Sequence, residues 1–162
     1  MKFGEATVRR MAFAEWSESP RRRGGALSTE SGRIAAVPYS AASRREVSEG
    51  TTPEELIAAA QASCFSMSLA RELGKLGISL QQIHTIAQVE MRESGFDQEI
   101  TSIHLLTKVV ARGIAMDRMI QVAEVAKQRC AVARLIRAPV HLSMSLKQWG
   151  TARETSFPEH QN

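Results

Sequence analysis

Residues 51–70 have the sequence TTPEELIAAAQASCFSMSLA, and the beginning of this stretch carries strong signals for the start of a helix. Thr52 is a suitable N-cap, because its side-chain oxygen can accept a hydrogen bond from the first turn. Pro53 fits the first helical position, where its missing N–H group costs nothing, and Glu55 can complete a Thr-x-x-Glu capping box. We therefore expect a helix that begins at Pro53.

The rest of this helix is nearly free of charge. Residues 56–70 include no charged residue, although Gln61 and three serines are present. A helix that is apolar on nearly all sides is normally buried on nearly all sides. The run falls short of the roughly 20 apolar residues that cross a bilayer. We predict a central buried helix, from position 53 to about 76, with Cys64 in its middle.

The composition is that of an ordinary globular protein. The chain has 162 residues, of which 43% are hydrophobic and 23% are charged, with a net charge of +4. We predict one domain over residues 1–148, followed by a polar tail at 149–162. The first six residues lack the apolar run of a secretory signal, which favours a cytoplasmic protein. Two cysteines far apart in sequence imply no disulfide framework.

Alternating hydrophobicity predicts β-strands on both sides of the central helix. We expect a strand at 5–16, a loop at 17–25, short strands at 25–29 and 33–37 around a turn at 30–32, and longer strands at 83–91, 99–111 and 140–146. The strands at 83–91 and 99–111 should form an antiparallel hairpin. A second helix is expected at 117–129, with Cys130 at its end. This order of elements predicts an α+β fold.

Other motifs are weak. The run Arg21–Arg23 is typical of a solvated turn or a protected strand edge, and no nucleic-acid-binding motif accompanies it. No glycine-rich phosphate loop is present, and neither cysteine has a partner at zinc-ligand spacing. We therefore expect no metal, no nucleic acid and no membrane among the partners. A basic nucleic-acid-binding protein, with salt-sensitive association, stays an alternative.

Cys64 allows two interpretations. Free cysteine is among the most buried residue types, so Cys64 can simply be an inert thiol of the core. A buried apolar helix raises a thiol pKa, so a reactive Cys64 would need a nearby cation to form a thiolate. Arg44 and Arg45 lie just upstream of the helix, and Glu54 could orient one of the two guanidinium groups.

Helix geometry restricts the second interpretation. Glu54 and Cys64 lie on one helix, about 15 Å apart along its axis. Glu54 could instead approach Cys64 of a second copy, if two central helices crossed antiparallel near Ala59. The alanines at 58–60 would permit such a close crossing in an isologous dimer. Packing of the same alanines under the sheet of their own chain is an equally good explanation.

Residues 53–67, PEELIAAAQASCFSM, closely resemble the signature helix of the OsmC and organic hydroperoxide resistance family, and in particular its OsmC-like branch. STESG at 28–32 and PYS at 38–40 are similar to the family's N-terminal β segment and its exit. Residues 126–130 are similar to its second cysteine helix, and residues 140–146 to its closing strand. The resemblance implies an OsmC-like fold of antiparallel sheets and two main helices, with the central helix buried in an intertwined homodimer.

The resemblance also implies a thiol-dependent peroxidase for organic hydroperoxides. In that case Cys64 is the peroxidatic cysteine, and Cys130 resolves its sulfenic acid as a disulfide that an external dithiol reduces. Glu54 matches the family's acidic residue and Arg44 matches its arginine, with Arg45 as the adjacent candidate. Sulfur supplies the redox chemistry in this scheme, so no metal, flavin or nucleotide cofactor is expected.

Two departures from the family pattern concern the surroundings of the site. The sequence Ala131-Val132-Ala133 follows the second cysteine where relatives usually have Pro-Val-Ser, and residues 40–43 are less aromatic than usual. Neither departure removes a reacting group. The competing function is a non-catalytic dimeric module that binds a small apolar or thiol-containing ligand in the same pocket.

Overall fold

The structure is a computed structural model that describes residues 7–19, 22–44, 50–95 and 97–148. The chain divides into two compact units, Met1–Leu56 and Ile57–Asn162. Arg21, Arg45 and the predicted tail at 149–162 lie outside the described residues. The single domain expected over residues 1–148 stays a prediction.

The N-terminal unit contains a small antiparallel sheet. Its strands are β1 (Ala12–Ser19), β2 (Arg22–Thr29) and β3 (Val37–Tyr39), which lie in that spatial order. The turn predicted at 30–32 is confirmed. One turn of 3₁₀ helix follows β3 at Ala42–Arg44.

The boundaries predicted for the first strands are wrong. β1 begins later than predicted, at Ala12, and β1 and β2 together occupy most of the loop expected at 17–25. Pairing between the two strands explains the difference, because cross-strand packing outweighs weak local propensity. Gly25 belongs in β2 because a Cβ atom there would clash with the β1 backbone and the Tyr39 ring. The stretch at 33–37, expected as a strand, is a loop until β3 begins.

The C-terminal unit contains a longer sheet and two further helices. Its strands are β4 (Ser79–Ser94), β5 (Asp97–Arg112) and β6 (Val140–Gln148), in that spatial order. The predicted β4–β5 hairpin is confirmed, whereas β6 pairs with β5 in parallel and so differs from the antiparallel expectation. Parallel neighbours need a long crossover connection, and α2 (Met116–Arg129) and α3 (Ala131–Leu135) supply it.

The central helix, α1 (Pro53–Lys75), begins where the sequence predicts. The backbone N–H of Glu55 donates to Thr52 Oγ1 at 3.2 Å, which is the expected N-cap bond. The Glu55 carboxylate accepts a hydrogen bond from Thr51 Oγ1 at 2.7 Å. The side chain of Glu55 therefore bonds to the hydroxyl of the residue before the N-cap. After Lys75 the chain turns at Gly77, whose φ of 66° favours glycine.

Within one chain, α1 buries one stripe of its surface instead of nearly all of it. The buried stripe consists of Gln61, Phe65, Ser68, Leu69, Glu72 and Leu73. It joins the buried faces of β5 and α2 in the core, which includes Leu105, Val109, Met119, Ala123, Ala126 and Cys130. The opposite side of α1 exposes Ala59, Ala60, Ser63 and Met67. No helix in the described part of the chain is long and apolar enough to cross a membrane.

Candidate active site

The two cysteines meet in the C-terminal unit. Cys64 lies in the middle of α1 and is half-buried. Cys130 lies at the end of α2, as predicted, where it separates α2 from α3, and it is fully buried. The thiol of Cys130 is hydrogen-bonded to the sulfur of Cys64. The turn between α2 and α3 therefore brings the sulfur of Cys130 next to the sulfur of Cys64.

The surroundings of Cys64 favour its thiolate. Burial works to raise the pKa of the Cys64 thiol, but hydrogen bonds from the Cys130 thiol and from the backbone N–H groups of Val132 and Ala131 outweigh it. The charge of Arg71 acts in the same direction, and the pKa of Cys64 lies below its ordinary value. Because α3 begins at Ala131, its first N–H groups have no partner within that helix and can point to a thiolate.

Cys130 has the opposite tendency. Burial raises the pKa of the Cys130 thiol, and its hydrogen bond to Cys64 and the negative charge on that residue raise it further. Hydrogen bonds from the backbone of Ala133 and Val132 oppose these effects only in part. Cys64 is therefore the more acidic thiol of the pair, and Cys130 is the one that holds its proton more firmly.

Gln61 lies beside this pair. Its Nε2 atom donates to Cys130 Sγ at 3.9 Å, and the residue is 0% exposed. Its Oε1 atom is buried and has no hydrogen-bond partner among the described residues. A buried polar atom without a partner costs about 1–3 kcal/mol of folding free energy. The Gln61 amide at this site therefore reduces the stability of the fold.

A second pair of predicted site residues lies in the N-terminal unit. Arg44 Nη2 donates to Glu54 Oε1 at 2.9 Å, and Arg44 Nε donates to Glu54 Oε2 at 3.2 Å. Both side chains are mostly buried, with exposed fractions of 22% for Arg44 and 17% for Glu54. A two-bond fork fixes the plane of the guanidinium group as well as its position. Glu54 therefore orients the guanidinium group of Arg44, as the sequence suggested for one of the two arginines.

The four predicted site residues occur as two contacting pairs, and two further residues were missed by sequence reasoning. Arg71 follows Cys64 by two helical turns, on the same side of α1, and its charge lowers the pKa of the Cys64 thiol. Gln61 precedes Cys64 by one turn and contacts Cys130. The signals that could have revealed both are the spacings i+7 and i−3 from Cys64 on a helix.

The three histidines in the described part of the chain, His84, His104 and His141, lie on strands of the C-terminal unit. His104 in β5 and His141 in β6 stack with their ring centroids 4.8 Å apart. In the described part of the chain, no group of three or more His, Cys, Asp or Glu side chains is placed to hold a metal ion.

The sequence of the chain is similar to that of a known protein family. The family model described as "OsmC-like protein" matches residues 46–145, a range that includes α1 and both cysteines. The chain belongs to the OsmC-like family. A relative named peroxiredoxin OsmC, from Escherichia coli (strain K12), is 36% identical over 141 residues, which cover 87% of this chain and 99% of that protein. This relative, which the match covers almost from end to end, is named as a peroxiredoxin.

Solved OsmC-like structures have the same fold. One is the organic hydroperoxide resistance protein OsmC from Legionella pneumophila, with a TM-score of 0.64 at 19% identity, covering 88% of this chain and 98% of that one. Another is OhrB of Bacillus subtilis, with a TM-score of 0.62 at 20% identity, covering 88% and 100% of the two chains. The OsmC-like α+β fold predicted from the sequence is thereby confirmed.

Proposed function

We propose that this OsmC-like protein is a thiol-dependent peroxidase that reduces organic hydroperoxides to alcohols. The observation that carries the proposal is the hydrogen-bonded pair of sulfurs, in which the pKa of Cys64 is lowered and the pKa of Cys130 is raised. Such a pair keeps the more acidic thiol, which suits a nucleophile, beside a second thiol before a peroxide arrives. The name of the peroxiredoxin relative supports the reaction class, and the names of the structural neighbours support the substrate class.

The first step is oxidation of Cys64. Its thiolate attacks one peroxide oxygen, so that an S–O bond forms while the O–O bond breaks. The sulfur is oxidised, and the leaving alkoxide takes up a proton and departs as an alcohol. Cys64 is left as a sulfenic acid. The same hydrogen bonds that lower the pKa of Cys64 increase the fraction of its attacking thiolate form.

The second step is resolution by Cys130. Its sulfur attacks the sulfenic sulfur of Cys64, a disulfide forms, and water leaves. An external dithiol then exchanges with the disulfide and returns both thiols. Sulfur performs all of the redox chemistry in this scheme, which includes no metal, flavin or nucleotide.

In this proposal the Arg44–Glu54 pair acts on Cys64 of a second copy in an intertwined homodimer. Glu54 lies about 15 Å along α1 from Cys64 of its own chain, which is too far for Arg44 to be held at that sulfur by Glu54. The exposed side of α1 supports a second copy, because it presents Ala59, Ala60 and a Met67 that is 75% exposed. At the partner's sulfur, the oriented guanidinium would stabilise the thiolate and polarise the peroxide.

Titration of thiols after addition of cumene hydroperoxide tests the proposed function. The reduced chain has two thiols, and we expect both to be lost when one peroxide per chain is added. Cys64→Ser should retain its remaining thiol, because the attacking sulfur is gone, and Cys130→Ser should lose its remaining thiol as a sulfenic acid. Thiols that stay unchanged in the wild-type protein would contradict the proposal and favour the non-catalytic binding module.

A further inference from the structure

The Gln61 amide occupies a place where packing gives no reason for a polar side chain. The residue is 0% exposed and lies in the buried stripe of α1, next to Phe65 and Leu69 of the core. Its Nε2 atom donates to Cys130 Sγ at 3.9 Å, while its Oε1 atom has no partner among the described residues. An apolar side chain of the same size would avoid the unpaired oxygen. The hydrogen bond to the sulfur is therefore the property that distinguishes glutamine at this position.

Cys130 needs a hydrogen-bond donor during resolution. To attack the sulfenic sulfur, it must carry negative charge at a fully buried position, where burial raises its pKa. In the reduced pair Cys64 raises that pKa further, and after Cys64 has become a sulfenic acid the burial of Cys130 still opposes its negative charge. Gln61 brings a side-chain N–H group to this sulfur from α1, the helix that carries the attacked residue.

We propose that Gln61 is a catalytic residue of the resolving step, whose Nε2–H group stabilises the negative charge that develops on the Cys130 sulfur. This inference rests on the proposed function, because it presupposes a sulfenic acid on Cys64. In the step, the Cys130 proton passes to the sulfenic hydroxyl, the S–S bond forms as the S–O bond breaks, and the hydroxyl leaves as water. The Cys130 sulfur is oxidised and the sulfenic sulfur is reduced, so no further reactant is required.

A neutral donor suits both states of the pair. In the resting state Cys130 must keep its proton, because its S–H group is one of the donors that lower the pKa of Cys64. A cation at position 61 would draw the proton from Cys130 and would also make its thiolate a weaker nucleophile. An amide supplies a donor without a charge, so it assists the thiolate when the attack begins and leaves the resting thiol protonated.

The test compares two rates in single-turnover experiments with cumene hydroperoxide. One is oxidation of Cys64, followed by trapping of its sulfenic acid, and the other is closure of the disulfide, followed by alkylation and mass measurement. We expect Gln61→Met to close the disulfide about tenfold more slowly than wild type, since lost donors at a developing charge have large kinetic effects. Oxidation of Cys64 should change by less than about twofold, and the apparent pKa of the closure step should rise.

A second variant and a matched control separate chemistry from packing. Gln61→Glu keeps the shape of the side chain but replaces the donating nitrogen by oxygen, so it should also slow closure at any pH where the new carboxyl is ionised, even if Gln61→Met does not fold. Ser66→Ala removes a different α1 hydrogen bond, from Ser66 Oγ to Thr85 Oγ1 at 2.9 Å, and should leave the closure rate and its pH profile unchanged.

Slow closure in the Gln61 variants should also increase over-oxidation of Cys64 to the sulfinic acid when peroxide is in excess.

The possible results are distinguishable. Closure at the wild-type rate in both Gln61 variants would overturn the role of Gln61, and so would equal slowing in Ser66→Ala. An unchanged pH profile with slower closure would also overturn it, because a packing defect alone would produce that result. Failure of the wild-type protein to form any sulfenic acid would instead reject the proposed peroxidase function.

Discussion

At the scale of single residues, Cys64 is subject to two opposing effects. Burial raises the pKa of the Cys64 thiol, whereas the Cys130 thiol, two backbone N–H groups and Arg71 lower it, and the lowering effects are larger in sum. Within one chain, hydrogen bonds therefore contribute more to lowering the pKa of this thiol than the charge of Arg71 does. The hydrogen bond from Cys130 is the largest of the lowering effects, so the resolving cysteine also takes part in activating the first one.

Variants of Cys130 test this double role. Cys130→Ala removes the donor, so the pKa of Cys64 should rise toward its ordinary value, while Cys130→Ser keeps an O–H donor and should raise it less. The pH dependence of Cys64 alkylation measures this pKa, with the midpoint in Cys130→Ala at higher pH than in Cys130→Ser. Equal midpoints in both variants and in wild type would show that Cys130 does not activate Cys64.

Arg71 is expected to contribute a smaller effect. Its side chain is 59% exposed, and an exposed charge contributes about 1 kcal/mol at most, so Arg71→Leu should slow alkylation of Cys64 near neutral pH by no more than about fivefold. The difference should diminish in high salt, because salt screens exposed charges. Arg92→Leu is the matched control, since Arg92 is an exposed arginine in an ion pair on β4. A similar rate change in the control would indicate a general effect of net charge.

The candidate site residues that the sequence suggests are those tied to one specific motif, and their roles stay predictions. Cys64, Cys130, Glu54 and Arg44 were predicted because a specific motif marks the first and fixes the spacing of the others. Gln61 and Arg71 were not predicted, because glutamine and arginine are common on helices and their roles depend on what packs against α1. The contact between Gln61 and Cys130 is long-range in sequence, and the spacing of Gln61 and Arg71 from Cys64 on the helix does not by itself distinguish them from other polar residues.

At the scale of elements, Glu72 joins α1 to α2. Its carboxylate accepts two hydrogen bonds from Arg129 Nη1, at 3.0 and 2.9 Å, and one from Lys75 at 2.8 Å. The hydrogen bond from Lys75 lowers the pKa of Glu72, burial opposes it, and the hydrogen bond and charge of Arg129 add to the lowering. Cys130 follows Arg129 directly, so this contact also fixes the end of α2 at the site.

Glu72→Gln should lower the melting temperature at neutral pH. Because the pKa of Glu72 is lowered in the folded state, its contribution to stability is present above the ordinary carboxyl pKa and is lost as the pH falls through the folded value. The difference from wild type should therefore be large at neutral pH and should diminish in acid. Glu99→Gln, in the exposed Arg92–Glu99 pair, is the control and should have little effect. A difference that does not depend on pH would contradict this explanation.

Elements that carry a signal in their own sequence were predicted well. Strands that form only because they pair with a neighbouring strand were not. α2, β4 and β6 have regular apolar spacing, α1 has clear start signals and an uncharged run, and β5 was expected as a long strand of mixed faces. All five were placed within a few residues of their observed bounds. β2 includes Gly24, Gly25 and Arg23, which argue locally for a loop, and it becomes a strand because it pairs with β1 and β3. α3 is too short for a periodic signal.

At the scale of the whole molecule, the proposed dimer makes a specific prediction about mixed chains. Arg44→Ala and Cys64→Ser should each be inactive alone, because one lacks the guanidinium and the other lacks the nucleophile. In a mixed dimer, the Cys64 of the first chain would meet the Arg44 of the second, so refolding the two together should restore about a quarter of wild-type activity. Co-refolded Cys64→Ser and wild type provide the control for mixing. No recovery would place Arg44 and Cys64 of one site in the same chain.

The pairing of Cys64 with Cys130 can be checked by following both the peroxide product and the two sulfurs in one experiment. Reduced wild-type protein is treated with one equivalent of cumene hydroperoxide per chain, the alcohol is quantified, and non-reduced peptides are mapped by mass spectrometry. We expect one alcohol per chain and a disulfide that links Cys64 to Cys130 within a single chain, as their hydrogen bond implies. Recovery of both cysteines as free thiols, or of a disulfide that joins different chains, would contradict it.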